Sequence, residues 1–568
     1  MDLDQVWKDA IANVISKFTD LKDMSVVKCI ETMCSFEVSG NNIVFICNND
    51  MTSKMLPMYV SQLFIEITNL MGVSNYGLQM VMAGSRPNQS QSQSVGKVIK
   101  LISDNLELSI NLQGGDVVDA KLLKVKQEQD KNDPFHLLMT TPQFIYQAQS
   151  GLAGKDGIDN LSRPEYVSDK TEYAIKDGEN SVEAVLKYEK DNVTYVKTFS
   201  VNRDSYVVNV KYDILNNSDK DLNLCMYGQL KQSEDDSYLK SNSSFGMVAS
   251  AYRGTAYSSD NSRYEKATLE KIIDDTKYNV STKSGWVAMI QHYFVSAWVN
   301  GDNDSSNVIY SGSAEKNTAA IIGIRTQNTV VKADSEKTLS AKLWVGPKNQ
   351  DAMAAVANNL DLTVDYGWLW FISIPLFKIL NFINSIIGNW GFSIIVLTLI
   401  VRSVMFPLTK AQYTSMAKMR LLQPKLMEIK ERYKDDRQKI GAETMKLYKA
   451  EKVNPLGGCL PLLIQMPIFI ALYWTLMEST ELRQSSFILW ITDLSVKDPY
   501  FVLPILYGIS MFLLQKMSPT PITDPIQKKV FMAMPFVFTF MFCTFPAGLT
   551  LYWLVSRHVY SVRCVHYG

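Results

Sequence analysis

The sequence predicts a multi-domain chain: a polytopic α-helical membrane core behind a large all-β sandwich, with a small α/β module in front. Three observations predict it. Four apolar blocks crowd the C-terminal third, at residues 388–408, 459–477, 500–514 and 530–556. The long region before them alternates apolar and polar side chains with the period of strands. A Ser/Gln-rich stretch, AGSRPNQSQSQSV from Ala83 to Val95, separates both from the N-terminal segment.

Composition removes several function classes. Lys+Arg and Asp+Glu are 57 each, so no global basic field argues for nucleic acid. The seven cysteines (Cys29, Cys34, Cys47, Cys225, Cys459, Cys543, Cys564) form no CxxC pair, and the four histidines (His136, His292, His558, His566) are scattered. Neither a disulfide framework nor a metal centre is expected. No GxxxxGK[ST] loop is present, so no nucleotide or other cofactor is expected and no enzyme chemistry is read from the chain.

Residues 1–82 read as the α/β module, to which the sequence assigns no role. Val6 to Phe18 is helical in pattern, Ser35 to Val38 and Ile43 to Cys47 flank the turn signal Gly40-Asn41, and Met51 to Met71 is a second helical stretch. The run LPMYVSQLFIEITNLMG fails as a membrane span because Pro57, Glu66, Ser61, Gln62 and Asn69 interrupt it. The acidic residues after Met1 do not read as a signal peptide. Residues 83–96 are expected to be a flexible linker.

Residues 97–350 carry the sandwich. Val193, Tyr195, Phe199 and Val201 alternate with Thr194, Thr198 and Ser200; Tyr206, Val208, Val210 and Tyr212 alternate with Asn209, Lys211 and Asp213. These are half-buried antiparallel strands, with turn clusters such as Gln113-Gly114-Gly115-Asp116 and Asn216-Asn217-Ser218-Asp219 between them. Trp286, Tyr293, Trp298 and Trp344 could stack on a sugar, but such residues are more often core, and no pair of carboxylates argues for hydrolysis.

Residues 362–387 contain WLWFISIPLFKILNFINSII, about the length of a span. On a helical wheel Ser373, Lys378, Asn381, Asn384 and Ser385 share one sector and aromatic and aliphatic residues the rest, which reads as a helix lying in the membrane interface. The first crossing is then residues 388–408. Arg402 inside it is either a functional residue or a snorkelling anchor, since a charge at mid-membrane costs about 2.5–3.5 kcal/mol on insertion scales. It is the only formal charge in the four blocks. An anchor would want company at the boundary, whereas a charge in a wet pocket needs only water and a substrate.

The loop at 409–458 holds twelve Lys/Arg against six Asp/Glu, a net of +6, and should stay in the cytoplasm. The segments 478–499 and 516–529 carry −2 and +2, so out and in alternate. The basic loop reads as a helical hairpin, about Thr409 to Arg432 and Arg437 to Lys452. Charge alone makes it a solvated positive-inside loop; a functional reading makes Lys418, Arg420, Lys425, Lys430 and Arg432 a landing surface for ribosome, translocon or acidic nascent tails. The last block, with Pro546-Ala547-Gly548 in its middle, reads equally as one tilted helix or two short ones.

GNWGFSIIVLTLIVRSVMFPLTKAQYTSMAKMRLLQPK, YKAEKVNPLGGCLPLLIQMPIFIALYW and QKMSPTPITDP resemble the core of the YidC/Oxa insertases, and PFHLLMTTPQFIYQAQSGL with GWVAMIQHYFVSAW resembles the periplasmic sandwich of the Gram-negative members. The resemblance implies a core (388–568) of five helices around a water-filled groove, and divides the last block into two helices. It implies that Arg402 is the groove arginine, with Thr398 one turn earlier, Gln465 on the second core helix, and Tyr552 and Trp553 as an aromatic pair on the last. It implies insertion of hydrophobic helices of nascent proteins into the bacterial inner membrane, alone or with the Sec translocon, the ribosome being a further partner. Members with this outer domain begin with a membrane helix, which Met1 to Val95 does not supply. At the other end, Arg557, His558 and Arg563 are expected to break the last helix, leaving about 15 Å from Ala547 to Ser556. Two rival classes are a transporter or channel, which should show repeats or interrupted helices with paired polar groups, and an outer-face binding module with one incidental anchor.

Overall fold

A computed structural model of the chain describes residues 3–16, 34–39, 42–47, 63, 66, 67, 70, 77–82, 97–127, 132–160, 162–235, 252–274, 277–300, 306–315, 318–433, 436–451, 460–517 and 525–567. It divides into two compact units, Met1–Gly96 and Lys97–Gly568. In the first, helix α1 (Leu3–Ile15) buries Val6, Ala10, Ile11 and Val14, one stripe of an amphipathic helix. Strands Cys34–Ser39 and Asn42–Cys47 pair antiparallel, and Gly77–Met82 joins the latter in parallel. The turn Gly40-Asn41, most of Met51 to Met71 and the linker 83–96 lie outside the described residues.

In the second unit, sheets of eleven and nine strands, among the described residues, share one hydrophobic core. Strands Val193–Asn202 and Val207–Asn216 pair antiparallel and bury alternate residues, so Val193, Tyr195, Phe199, Val201, Val208, Val210 and Tyr212 all face inward. Trp286, Trp298 and Trp344 are 0%, 1% and 2% exposed, so they are core and offer no stacking surface. The indole N–H groups of Trp286 and Trp298 donate to the carbonyls of Asn358 and Gln229 at 3.0 and 3.1 Å.

The same alternation carries Lys197 into the core. A strand places every second residue on one face, so a lysine between Tyr195 and Phe199 has no other place to go. It is fully buried, and its Nζ donates to the carbonyls of Gly114 (3.1 Å), Gly115 (2.7 Å) and Ser150 (3.1 Å). Gly114 and Gly115 form the predicted turn, both at positive φ (85° and 62°). Beside it Arg163 pairs with Asp116 and, at 2.5 Å, with Asp159. Burial, partly offset by Asp116, pushes the Lys197 ammonium down to about 7.

The helices follow: α2 (Leu269–Asp274) within the sandwich, then α3 (Gln350–Val356), α4 (Trp370–Ile387), α5 (Trp390–Val404), α6 (Phe406–Leu421), α7 (Gln423–Arg432), α8 (Arg437–Ala450), α9 (Leu460–Glu478), α10 (Val502–Met517), α11 (Pro525–Phe542) and α12 (Ala547–Tyr567). Among the described residues, Gly367–Ile387 is the helical stretch long and apolar enough by itself to cross a membrane. Four features differ from expectation. The run 388–408 is interrupted at Met405, where Pro407 lacks an N–H and crowds the carbonyl four residues back, so α5 spans only about 22 Å. The stretch Thr409 to Arg432 is divided at Leu422 by Pro424 for the same reason. On α4 the expected polar sector is split: Ser373 is fully buried and donates to the Ala471 carbonyl at 3.0 Å, while Lys378, Asn381 and Ser385 are exposed. Finally, α12 does not stop at Ser556. It continues through Arg557, His558 and Arg563 for 21 residues, about 30 Å, because helix propensity tolerates charge that an apolar pattern does not.

Lys197 yields a pH test. The ammonium is protonated up to about 7 in the fold and up to about 10.4 when unfolded. Below 7 both states bind the proton and the cost of burying it is fully present; between 7 and 10 the unfolded state binds more, so stability rises with pH. Denaturant unfolding of the full chain in detergent, followed by tryptophan fluorescence, should show wild type gaining on Lys197→Met by up to about 1.4 kcal/mol per pH unit in that window. A pH-independent difference would refute the assignment.

Candidate functional site

Helix α5 is fixed first at its N-terminal end. The Asn389 side chain caps it by accepting from the Phe392 N–H at 3.1 Å, and the Asn389 amide donates to the Phe487 carbonyl at 3.2 Å. Gly391 lies against the Phe487 ring so closely that a Cβ would sit 2.0 Å from it. The neighbouring α4 and α9 are joined through Ser373, which donates to the Ala471 carbonyl at 3.0 Å, and through Thr475, whose hydroxyl donates to the Ser373 carbonyl at 3.4 Å. Leu376, Leu380, Ile394, Leu397, Leu472 and Leu476 close the packing between α4, α5 and α9.

Against the far face of α5 lies α12. Buried residues Ile394, Leu397, Thr398 and Arg402 make one stripe on α5; Leu549, Tyr552 and Ser556 make one on α12. Two contacts fix their register. A Cβ on Gly548 would lie 3.4 Å from the Ile394 side chain, and the Arg402 Nη2 donates to the Ser556 hydroxyl. From 394 to 402 and from 548 to 556 is the same eight residues, so the two helices run parallel and in step for about 12 Å. Thr398 and Tyr552 fall level with each other midway. Arg402 is 9% exposed and Tyr552 3%. The Thr398 hydroxyl is satisfied within its own helix, donating to the Ile394 carbonyl at 2.6 Å.

Not every candidate joins this seam. Trp553, about 100° further round α12, stacks on Phe469 of α9 with ring centres 4.7 Å apart and meets Phe542 of α11 at 3.8 Å. Gln465 is half-buried one turn before Phe469. Thr398, Arg402 and Tyr552 therefore share the α5–α12 seam, while Trp553 and Gln465 belong to the α9 side. On the basic hairpin Lys418, Lys425, Lys430 and Arg432 are exposed, and the side chain of Arg420 lies outside the described residues. Lys425 pairs with Glu451 at 2.6 Å, linking α7 to α8, and Arg432 with Glu428 at 2.9 Å. Exposed pairs of this kind contribute about 0–1 kcal/mol each.

The loop between α9 and α10 grips the sandwich. Arg483 donates to the Lys126 carbonyl at 2.9 Å, and its guanidinium lies 5.3 Å from both the Phe135 and Phe294 rings, which stack at 4.0 Å. Lys348 Nζ stands 3.8 Å from the Glu478 carboxylate at the end of α9. His292 stacks on Tyr293 at 3.9 Å. Burial, and then the charge of Lys348, push His292 down to about 4, so its ring is neutral and donates to the Met477 carbonyl at 3.0 Å without forming an ion pair with Glu478. Among the described residues no group of three His, Cys, Asp or Glu side chains is placed to hold a metal ion.

Sequence reasoning passed over Ser556, treated only as the end of an apolar block. The available signal was its spacing: four residues after Tyr552, it shares that residue's face. The Gly391–Phe487 contact yields a prediction. Gly391→Ala should displace Phe487, lower the melting temperature in detergent by several degrees, about 1 kcal/mol or more of overpacking, and Phe487→Ala in the same chain should restore part of the loss. No shift in Gly391→Ala would contradict the contact.

Comparison with known proteins places these elements in a family. Residues 98–379 match the YidC periplasmic domain, and residues 382–564 match the family described as 60Kd inner membrane protein. The chain is 54% identical over 490 residues to the membrane protein insertase YidC of Tolumonas auensis, covering 84% of this chain and 88% of that one. It is 54% identical over 472 residues to the YidC of Aeromonas hydrophila (83% and 85% covered) and 52% identical over 478 residues to that of Haemophilus influenzae (83% and 87%). The chain belongs to the YidC family of membrane protein insertases.

Proposed function

We propose that this chain inserts hydrophobic helices of nascent proteins into the bacterial inner membrane, with Arg402 as the charge that receives them. The observation that carries the reading is a guanidinium buried among apolar helices at the α5–α12 seam, 9% exposed. A charge is expensive in hydrocarbon, so it is retained there for what it attracts. An acidic or polar tail entering from the cytoplasm is drawn to Arg402, which shortens its path through the acyl chains. The client's apolar helix then leaves sideways into lipid by the hydrophobic effect. The short α5, about 22 Å against a hydrocarbon core of about 30 Å, supports a bilayer thinned at this point.

In this reading α5, α9, α10, α11 and α12 are the five core helices and α4 lies in the outer interface, its Trp370, Phe371, Phe382 and Ile386 exposed to lipid. Residues 97–350 are the periplasmic sandwich, 362–387 the interfacial segment, 388–568 the multi-pass core with its cytoplasmic hairpin 409–458, and 1–82 an α/β module behind the linker 83–96. Thr398, Gln465, Tyr552 and Trp553 line the path beside Arg402. Lys418, Arg420, Lys425, Lys430 and Arg432 form the hairpin surface that meets ribosome or Sec translocon. A channel or transporter is less well supported, since no second charge stands beside Arg402 in the apolar blocks.

Reconstitution tests this. Proteoliposomes holding the full chain should insert a short single-span protein with an acidic tail, and Arg402→Ala should slow insertion by about tenfold or more. That follows because unit charges near 4 Å interact by about 4 kcal/mol at an effective dielectric of 20, and about 1.4 kcal/mol is a factor of ten. Equal insertion by empty liposomes, or solute flux through the protein, would overturn the reading.

A further inference from the structure

Most described hydroxyls of the membrane helices bond to backbone, usually of their own helix and, for Ser373, to the Ala471 carbonyl of α9; Ser556 is held by a charged side chain. Thr398, Ser403, Thr475, Thr539 and Thr550 each donate to the carbonyl four residues earlier in their own helix. Such a bond satisfies the hydroxyl locally and asks nothing of a neighbour. Ser556 instead accepts from Arg402, on a different helix and 154 residues away in sequence. It is 3% exposed, on the same stripe as Leu549 and Tyr552. The parallel register of α5 and α12 brings residue 556 level with residue 402, so the contact follows from the packing of the whole seam and from no local turn.

We propose that Ser556 is a positioning residue for client capture: its hydroxyl holds the Arg402 guanidinium against α12 before a client arrives, so that its charge is presented from a fixed place in the seam. This rests on the reading of Arg402 given above and deepens it. An arginine side chain has large rotamer freedom, and whatever orders it in advance removes that ordering from the binding step. A guanidinium carries five N–H donors and a serine hydroxyl accepts from one of them, so the contact orients the group without cancelling the charge that a carboxylate would meet. A serine suits the position because it is neutral: an acid there would neutralise the charge that a client is meant to meet, whereas an apolar residue would leave the guanidinium without an acceptor on that side.

The test uses the full chain in proteoliposomes and two single-span clients that differ only by Asp or Asn in the translocated tail. The quantity read is the ratio of their insertion rates. Wild type should favour the acidic client severalfold, and Arg402→Ala should abolish the preference. Ser556→Ala should reduce it about threefold or more, the Asn client being slowed far less than the Asp client, while an unchanged melting temperature in detergent reports that the variant is folded. Ser556→Thr, which keeps a hydroxyl, should restore it. In the Arg402→Ala background, Ser556→Ala should change neither rate. Loss of both clients in equal measure, an effect that persists without Arg402, or a preference that is unchanged or enlarged in Ser556→Ala would overturn the positioning role. An acidic preference absent from wild type, or surviving Arg402→Ala, would remove the reading of Arg402 and this proposal with it, and is distinct from a preference that needs Arg402 but ignores Ser556.

Discussion

Holding a guanidinium between apolar helices is the constraint around which the membrane half of this protein is arranged. An unpaired charge in hydrocarbon is costly, yet a strong ion pair would cancel the attraction that the proposed role of Arg402 requires. The α5–α12 seam resolves this with a neutral acceptor, Ser556, facing Arg402. That solution demands register. It works only if α5 and α12 run parallel and in step, which the contact of Gly548 with Ile394 sets at the other end of the seam.

Register in turn depends on how the ends of the helices are fixed. Asn389 and Gly391 set α5 against Phe487, and the same loop holds the sandwich through Arg483. The end of α9 meets the sandwich through Lys348 and the neutral His292. The sandwich is thus attached to the loops at the ends of α5 and α9. Lys197 is held by three carbonyls inside the β core.

Much of this was legible in the sequence, and the rest was hidden for identifiable reasons. Alternation in Val193 to Val201 and Val208 to Tyr212 marks the strands and their inward faces, because one buried face fixes a period of two. It could not mark Lys197 as interior, since polarity argues the other way and it is accommodated by the carbonyls of Gly114, Gly115 and Ser150, all distant in sequence. Arg402 stood out as a lone charge in apolar blocks. Ser556 did not, because a serine in a membrane helix normally bonds to its own backbone and nothing in composition distinguishes one that does not. The resemblance implies Tyr552 and Trp553 as a pair on the last helix; neighbours on a helix point about 100° apart, and Trp553 packs on Phe469 and Phe542. The continuation of α12 past Ser556 was missed because apolar periodicity was taken as the measure of helix length.

The proposed role of Arg402 requires that it face water continuous with the cytoplasm. The most direct measurement is thiol accessibility in inside-out membrane vesicles: Arg402→Cys in a chain otherwise free of cysteine, exposed to a membrane-impermeant maleimide. The expected result is reaction from the cytoplasmic face at a rate within about tenfold of Lys410→Cys, just beyond the helix. An Arg402→Cys thiol that stays unreacted while Lys410→Cys is labelled would contradict it.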